Sequence, residues 1–473
     1  MNNNRRSFLK LTGLLGTGIA GGLLQGFTSP QGRAENNRPE VNGKPPGKVF
    51  NMSGYAAPKL DTVRIGYVGL GNRGSAAVPR MNHIEGVAIN ALCDIRTEQA
   101  EAAKESLKGS SHHPVLYSGK EDSWKQLCER EDIDLVYIAT PWNLHVPIAV
   151  YAMNHGKHVA MEVGAGESVE ECWEIVEASE RNKRHCTILE NCCYDFFELL
   201  TLNMARQGFF GEIVYGAGAY LHPIAPSFFD KKARYNLWRL RENTHRNGNL
   251  YPTHGLGPVA QIMNINRGDK MDYLVSVSTN DFTLNELARE AAAKDKDFLP
   301  FVNNPFRGNL NTTTIRTNQG KTILLQHDVS TPRPYSRIHQ ISGTKAIAVK
   351  YPEPARIAIG HDDWISEAAM KQLEQKYTLP IVMRLGEMAK QVGGHGGMDF
   401  LMDWRLIDCL RNGLPLDHDV YKAALWNAIS PLSEWSVAHR SNSIEVPYFT
   451  RGSWQKNIPG NMSIEHGNLT AVN

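Results

Sequence analysis

One stretch of this 473-residue chain restricts the fold more than any other. Residues 62–68 alternate β-branched and apolar side chains, as a buried strand does, and run without a spacer into Gly69-Leu70-Gly71-Asn72-Arg73-Gly74. A helical stretch follows from Ser75, and a second strand, residues 87–93, ends at Asp94, 20 residues past Gly74. In such a strand–turn–helix the first glycine permits the tight turn, the second lets a phosphate approach the backbone, and the third lets helix and strand pack closely. The helix start adds N–H groups and positive potential. A carboxylate at Asp94 is placed to accept hydrogen bonds from ribose hydroxyls and to repel a 2′-phosphate. The pattern therefore reads as a dinucleotide-binding unit that prefers NAD to NADP, with Gly69, Gly71, Asn72, Arg73, Gly74 and Asp94 as its first contacts.

The alternation continues. Residues 133–139 and 158–161 read as buried strands, with helical segments at 146–154 and 169–182. Strands that alternate with helices form a parallel, doubly wound sheet whose ligands lie at the strands' carboxyl ends. Thr140, Trp142, Asn143, His145, Glu162, Val163 and Asn191 follow those strands and are the expected lining of a cofactor crevice. Beyond Tyr194 the strands lengthen (212–221, 273–279, 311–317, 321–329 and 336–341), with hairpin turns at 317–321 and 342–345. Helical patterns cover 398–412 and 419–440, and residues 280–310 read as a polar insertion with a short helix. The expected fold class is α/β: an N-terminal Rossmann-type doubly wound parallel sheet over 61–190, then an α+β domain over 191–473 with an open, mostly antiparallel sheet. The last helices are expected to pack back on the first domain.

Arg5-Arg6 precedes Phe8-Leu9-Lys10 and a weakly apolar, glycine-rich stretch, residues 11–27, too short for a membrane span. This resembles a twin-arginine export signal over 1–34, followed by a leader to about residue 60. It implies an exported protein of the periplasm or cell envelope. A net charge of +2 gives no reason to expect nucleic acid or an anionic membrane as partner. The seven cysteines, Cys192 and Cys193 adjacent among them, form no spaced disulfide framework and no C-x-x-C pair. His112, His113, His327, His339 and His418 show no metal spacing, so no metal is expected.

Thr140-Pro141 with His145, and His155-Gly156-Lys157-His158-Val159, resemble the glucose–fructose oxidoreductase and inositol dehydrogenase superfamily. Its dehydrogenases carry Glu-Lys-Pro where this chain has Glu162-Val163-Gly164, and an aspartate three residues before a catalytic histidine where this chain has Tyr251 before His254. Both departures remove groups suited to simple alcohol oxidation. Together with Glu190-Asn191-Cys192-Cys193-Tyr194, the segment 246–254, Gly393 to Phe400 and Phe449-Thr450-Arg451-Gly452, they make the chain resemble glycoside hydrolase family 109, which includes NAD-dependent α-N-acetylgalactosaminidases. The resemblance covers residues 63–454. It implies a bound NAD, a carbohydrate substrate and a cycle of oxidation, elimination, water addition and reduction with no net redox change. NAD-dependent glycosidases do not need the usual carboxylate pair.

Under that resemblance the proton-transfer candidates are His254, Tyr251, Tyr194 and Glu162. Trp238, Arg239 and Tyr251 are expected near the cofactor. Tyr220, Arg241, Tyr251, Pro252, Thr253, His254 and Tyr335 are expected at the substrate. The superfamily's second sheet can also use its free face for oligomerisation. The glycine-rich run 393–397, with His395 and Asp399, reads first as a turn opening a helix and second as a substrate contact. Two other readings share the fold: a sugar or inositol dehydrogenase that releases NADH, and a protein that holds the dinucleotide without using it.

Overall fold

The structure is a computed structural model that describes residues 49–164, 166–457 and 470–472. The twin-arginine segment and the leader as far as residue 48 lie outside the described residues. Six parallel strands form the first sheet: β1 (Val63–Val68), β2 (Val87–Asp94), β3 (Val115–Ser118), β4 (Leu135–Ile138), β5 (His158–Met161) and β6 (Cys186–Ile188). Their spatial order is β3-β2-β1-β4-β5-β6. The order reverses between β1 and β4, which leaves a crevice at the carboxyl ends of those strands. β4 and β5 are buried along their whole length, as a strand covered by helices on both faces must be. Helix Val169–Asn182 starts at Ser168, whose side chain accepts the Glu171 N–H at 3.1 Å.

Eight strands form the second sheet: β7 (Ile213–Leu221), β8 (Met271–Ser278), β9 (Leu310–Thr317), β10 (Thr322–Asp328), β11 (Gln340–Gly343), β12 (Ala346–Val349), β13 (Arg356–Ile359) and β14 (Ile444–Glu445). They lie in the order β13-β12-β11-β7-β10-β9-β8-β14. Every pairing is antiparallel except that of β10 with β7. The two-sheet architecture read from the sequence is therefore the one observed.

Helix Thr253–Ile262 lies directly on β7 because two glycines face each other there. A Cβ on Gly218 would sit 2.2 Å from the Gly255 carbonyl oxygen, and one on Gly255 would sit 2.2 Å from the Ala219 nitrogen. This contact sets His254, on the helix, beside Tyr220, on the strand. Helices Met398–Asn412 and Val420–Ala438 tie the two halves together. Arg80 donates to Asp403 at 3.0 Å, and Tyr421 donates to Glu180 at 2.8 Å. All seven cysteines are buried free thiols. Among the described residues no helix is long and apolar enough to cross a membrane.

Candidate active site

The glycine turn after β1 has the shape its sequence requires. Helix Asn72–Met81 begins at Gly71 with no side chain capping its first N–H groups. A Cβ on Gly74 would fall 1.9 Å from the Gly69 carbonyl oxygen, whereas one on Gly71 would meet nothing nearer than Arg96 Nη2 at 3.8 Å. Open space thus fronts an uncapped helix start, the arrangement that receives a pyrophosphate. Asp94 is fixed at the end of β2 by the Leu70 N–H at 2.7 Å and the Arg96 N–H at 2.9 Å. At the end of β4, His145 Nε2 meets the Thr140 carbonyl at 2.8 Å. Burial pushes that imidazole down to about 4, so the neutral ring donates through Nε2. His145 Nδ1 and Thr140 Oγ1 are buried without a hydrogen-bond partner. Groups left unsatisfied in this way fit a polar ligand such as a dinucleotide.

Arg73 crosses the crevice. Its Nε donates to Glu162 at 2.9 Å and its Nη1 to Asp399 at 2.9 Å. Asp399 also accepts from Asn191 Nδ2 at 2.5 Å and lies 2.9 Å from His395 Nδ1. Burial pulls the Asp399 carboxyl upward, but the His395 hydrogen bond and the guanidinium groups of Arg73 and Arg80 hold it far below the usual carboxylate range. The glycine-rich run 393–397 does open helix Met398–Asn412, as its sequence suggests. It also brings an exposed histidine, His395, to the buried anion Asp399 beside three expected cofactor residues: Arg73, Glu162 and Asn191. The sequence reading undervalued this run.

The far wall is aromatic. Tyr251 lies against Tyr220 with ring centroids 4.5 Å apart and meets His254 edge-on at 4.8 Å. Tyr335 joins through His222, at 4.9 Å. Arg239 is buried with no ion pair among the described residues, its guanidinium 5.1 Å from the Tyr251 ring, 5.3 Å from Trp142 and 5.7 Å from Phe228. His254 Nδ1 lies 2.7 Å from Glu190 Oε1 and 2.9 Å from Oε2. Glu190 is wholly buried. Burial alone would raise its carboxyl, yet the charge and hydrogen bond of His254 bring it below its ordinary value. Pro252 and Thr253 are buried at the start of the His254 helix, and Asn143 stands exposed at the rim.

Glu190 is the partner that the sequence reading missed, although its motif had been singled out. The fold also gathers Glu190, Cys192 and His254 so that their ligand atoms lie within 4.8 Å of one another, a grouping that no spacing in the chain announces. A thiol binds a metal as thiolate. Burial pushes the Cys192 thiol well up, and His254 is already held by Glu190, so the group is better suited to an imidazole–carboxylate couple than to an ion.

Three expected roles change. Tyr194 sits in the single turn Asn191–Tyr194 rather than after a strand end, and its hydroxyl donates inward to Asp417 at 3.2 Å, which removes it from the reacting sugar. Arg241 is drawn outward: its Nε donates to the Asn236 carbonyl at 3.0 Å and its guanidinium lies over Phe301. Glu162 is engaged by Arg73 and anchors the crevice wall, which argues against its acting as a mobile proton carrier. One segment of the second half, residues 230–246, touches three strand ends of the first. Tyr235 lies under the Arg96 guanidinium at 5.5 Å, Trp238 meets Trp142 at 5.1 Å, and Arg246 Nη1 reaches Glu167 at 3.8 Å.

The chain was compared with known proteins. Residues 63–189 match the NAD-binding Rossmann-fold oxidoreductase family, and residues 194–456 match the glycosyl hydrolase 109 C-terminal domain. Glycosyl hydrolase family 109 protein 1 of Bacteroides fragilis is 46% identical over 423 residues, covering 86% of this chain and 89% of that one. A B. fragilis protein named alpha-N-acetylgalactosaminidase is 47% identical over 413 residues, covering 86% and 96%. Among solved structures, the scyllo-inositol dehydrogenase of Lactobacillus casei with bound NAD(H) and scyllo-inositol shares the fold at 14% identity, with a TM-score of 0.58 over 81% of this chain and 99% of that one. A dinucleotide turn joined to an imidazole–carboxylate wall, in a chain covered to 86% by such relatives, belongs to glycosyl hydrolase family 109: the protein is a glycoside hydrolase built on an NAD-binding Rossmann domain.

Proposed function

We propose that the protein hydrolyses terminal α-linked N-acetylgalactosamine through an NAD-dependent cycle of oxidation, elimination, water addition and reduction that leaves no net redox change. The observation that carries this reading is the His254–Glu190 couple, set in an aromatic wall beside the dinucleotide turn. The name of the 47%-identical B. fragilis relative supports the sugar. NAD, when bound, supplies a hydride acceptor and donor for sugar C3. Gly69 to Gly74, Asp94, Thr140, Trp142, His145, Glu162, Val163 and Asn191 would hold it.

His254 Nε2 takes the proton of the C3 hydroxyl, while Glu190 holds Nδ1–H and stabilises the imidazolium that forms. Burial raises the Tyr251 phenol well above its ordinary value, so it stays protonated and donates a hydrogen bond to the oxygen at C3. A ketone there acidifies the C2 proton. A base takes it, its electron pair forms the C1–C2 double bond as the C1–O bond breaks, and the leaving oxygen is protonated. Water then adds at C1 with a proton returned to C2, and the ketone at C3 is reduced again, so the balance is hydrolysis. In the second imidazole–carboxylate couple, the exposed His395, held by the buried Asp399, is available to exchange a proton with the leaving oxygen or with water. Residues 1–34 would send the chain across the membrane by the twin-arginine route, already folded around its cofactor.

The deciding experiment uses purified protein with p-nitrophenyl N-acetyl-α-galactosaminide and no added cofactor. Nitrophenol release without accumulating NADH, and washout of deuterium from the C2 position into water, is the expected result. NADH released in proportion to protein, without cleavage, would establish a dehydrogenase instead.

A further inference from the structure

Outward of the aromatic wall, the segment carrying Arg239 and the insertion that follows β8 enclose a cavity of about 790 Å³. Its lining includes Lys231, Arg234, Asn236, Arg241, Phe301 and Asn304. The cations there are not equivalent. Lys231 is neutralised by Asp295 and Asp297, each 2.5 Å away, and Asp297 is itself part of the lining. Arg234 and Arg241 have no ion pair among the described residues. Among the described residues the exposed Arg241 side chain bonds to Asn236 alone, and Arg234 Nε is buried without a hydrogen-bond partner.

The Arg234 guanidinium, partly withdrawn from water without a counter-charge, is unfavourable unless something supplies one, and Arg241 stands exposed beside it to share the same anion. A guanidinium's planar fork of donors matches the paired oxygens of a carboxylate or a sulfate ester. The lining also marks where the cavity lies relative to the reaction. Leu237 and Phe301, which line the cavity with Arg234, belong to the same buried cluster as Tyr220, against which Tyr251 packs, so the cavity adjoins the wall that holds His254. Burial and the neighbouring Arg239 press the Arg234 pKa down. Phe301 and Pro300 add an apolar surface, while Asn236, Asn304 and Thr244 add hydrogen-bonding groups. That mixture suits a sugar ring.

We propose that this cavity is a subsite for an acidic saccharide unit, bearing a sulfate or a carboxylate, on the leaving-group side of the scissile bond. The inference rests on the exo-glycosidase reading: a terminal sugar placed at His254 ends the chain there, so whatever extends outward is the aglycone. The helix start at Gly71 and the residues around Asp94 already serve the dinucleotide's phosphates and ribose, which leaves Arg234 and Arg241 for another anion.

The test has two arms. Calorimetric titration of the purified holoenzyme with galactose 6-sulfate, glucuronic acid and unsubstituted galactose reads the cavity without any bond cleavage. The ratio of kcat/KM for α-N-acetylgalactosaminides with an acidic against a neutral saccharide aglycone reads it during turnover. The acidic ligand should be favoured about tenfold in both arms, as one or two charge-assisted hydrogen bonds would give, with the preference shrinking as salt is added. Arg234→Gln with Arg241→Gln should bring the ratio to about one. Binding of the sulfate but not the uronate, or the reverse, identifies which acidic sugar is recognised. Equal affinity for charged and neutral sugars in the unmodified protein overturns the proposal. So do variants that keep the preference, or that lose NAD while the preference stands. Binding of acidic sugars by a protein that cleaves no α-N-acetylgalactosaminide would leave the cavity's ligand class standing and overturn the glycosidase reading alone.

Discussion

At Glu190 one carboxylate serves two neighbours: it accepts the Cys192 N–H at 3.0 Å and faces the His254 ring nitrogen at 2.7 Å. Glutamine in its place would keep an acceptor for both but lose the charge that favours the imidazolium. Glu190→Gln should lower kcat by about 10²- to 10⁴-fold, the range for a general base that loses its orienting anion, with NAD content and melting temperature little changed. Chromatographic assay of released nucleotide beside steady-state kinetics separates that outcome from loss of the cofactor. His254→Ala should show the same kinetic loss with the dinucleotide retained, and unchanged turnover would remove His254 from the mechanism. Asp94→Ala should do the opposite, shedding NAD before it affects chemistry. The sequence could name His254 because its motif is local. It could not name Glu190 as the partner, because 64 positions separate them and only the packing of two domains brings them together.

Periodic elements were readable wherever the periodicity is local. Helix 169–182 has the bounds that its periodicity predicted, since burial of one face writes a repeating pattern, and strand 158–161, buried on both faces, is readable as a short run between helical segments. Short strands carry too few repeats: β12 and β13 have four residues each, and β14 has two. The segment around Asn191 looked like the end of a strand because it is apolar and buried. It is a single turn in which the Glu190 side chain takes the backbone N–H of Cys192. The turn after β5 carries its own prediction. Gly164 has φ +93°, and a Cβ there would lie 2.1 Å from Trp142 Nε1. Gly164→Ala should therefore push Trp142 off the wall it shares with Trp238 and Tyr251, at a cost of about 1–3 kcal/mol in stability. A fall in the urea midpoint together with a changed tryptophan fluorescence spectrum would register it. An unchanged spectrum would show that the indole has room to spare.

Across the whole molecule, the second half is held together by buried charge as well as by apolar packing. Helix Phe196–Arg206 presents Glu198, buried with Arg337 at 2.6 Å and Lys350 at 3.2 Å, while Asp195 shares both cations. Burial alone would raise Glu198, but Arg337 and Lys350 bring it down to about 2. Asp195, in the same cluster, is moved upward, chiefly by burial and by the charge of Glu198. A depressed carboxyl stabilises the folded state above its unfolded value and loses that contribution as pH falls through its folded value. Glu198→Gln should be less stable at neutral pH by about 3–5 kcal/mol, since two buried cations lose a counter-charge. Its deficit relative to the parent should narrow as pH falls from 4.5 toward 2. Denaturant titrations of both proteins across that range measure the difference, and a constant gap would assign the effect to packing.

The contacts of residues 230–246 with Arg96, Trp142 and Glu167 bear on time rather than on affinity. A dinucleotide held beneath a strap fastened at three strand ends would leave only when the strap lifts, so its lifetime would follow how often the strap opens. Dilution, which empties an ordinary equilibrium site within seconds, would leave such a site filled for as long as the strap stays down. Tyr235→Ala undoes one fastening where it meets Arg96, and should hasten nucleotide loss on dialysis while leaving the rest of the crevice intact.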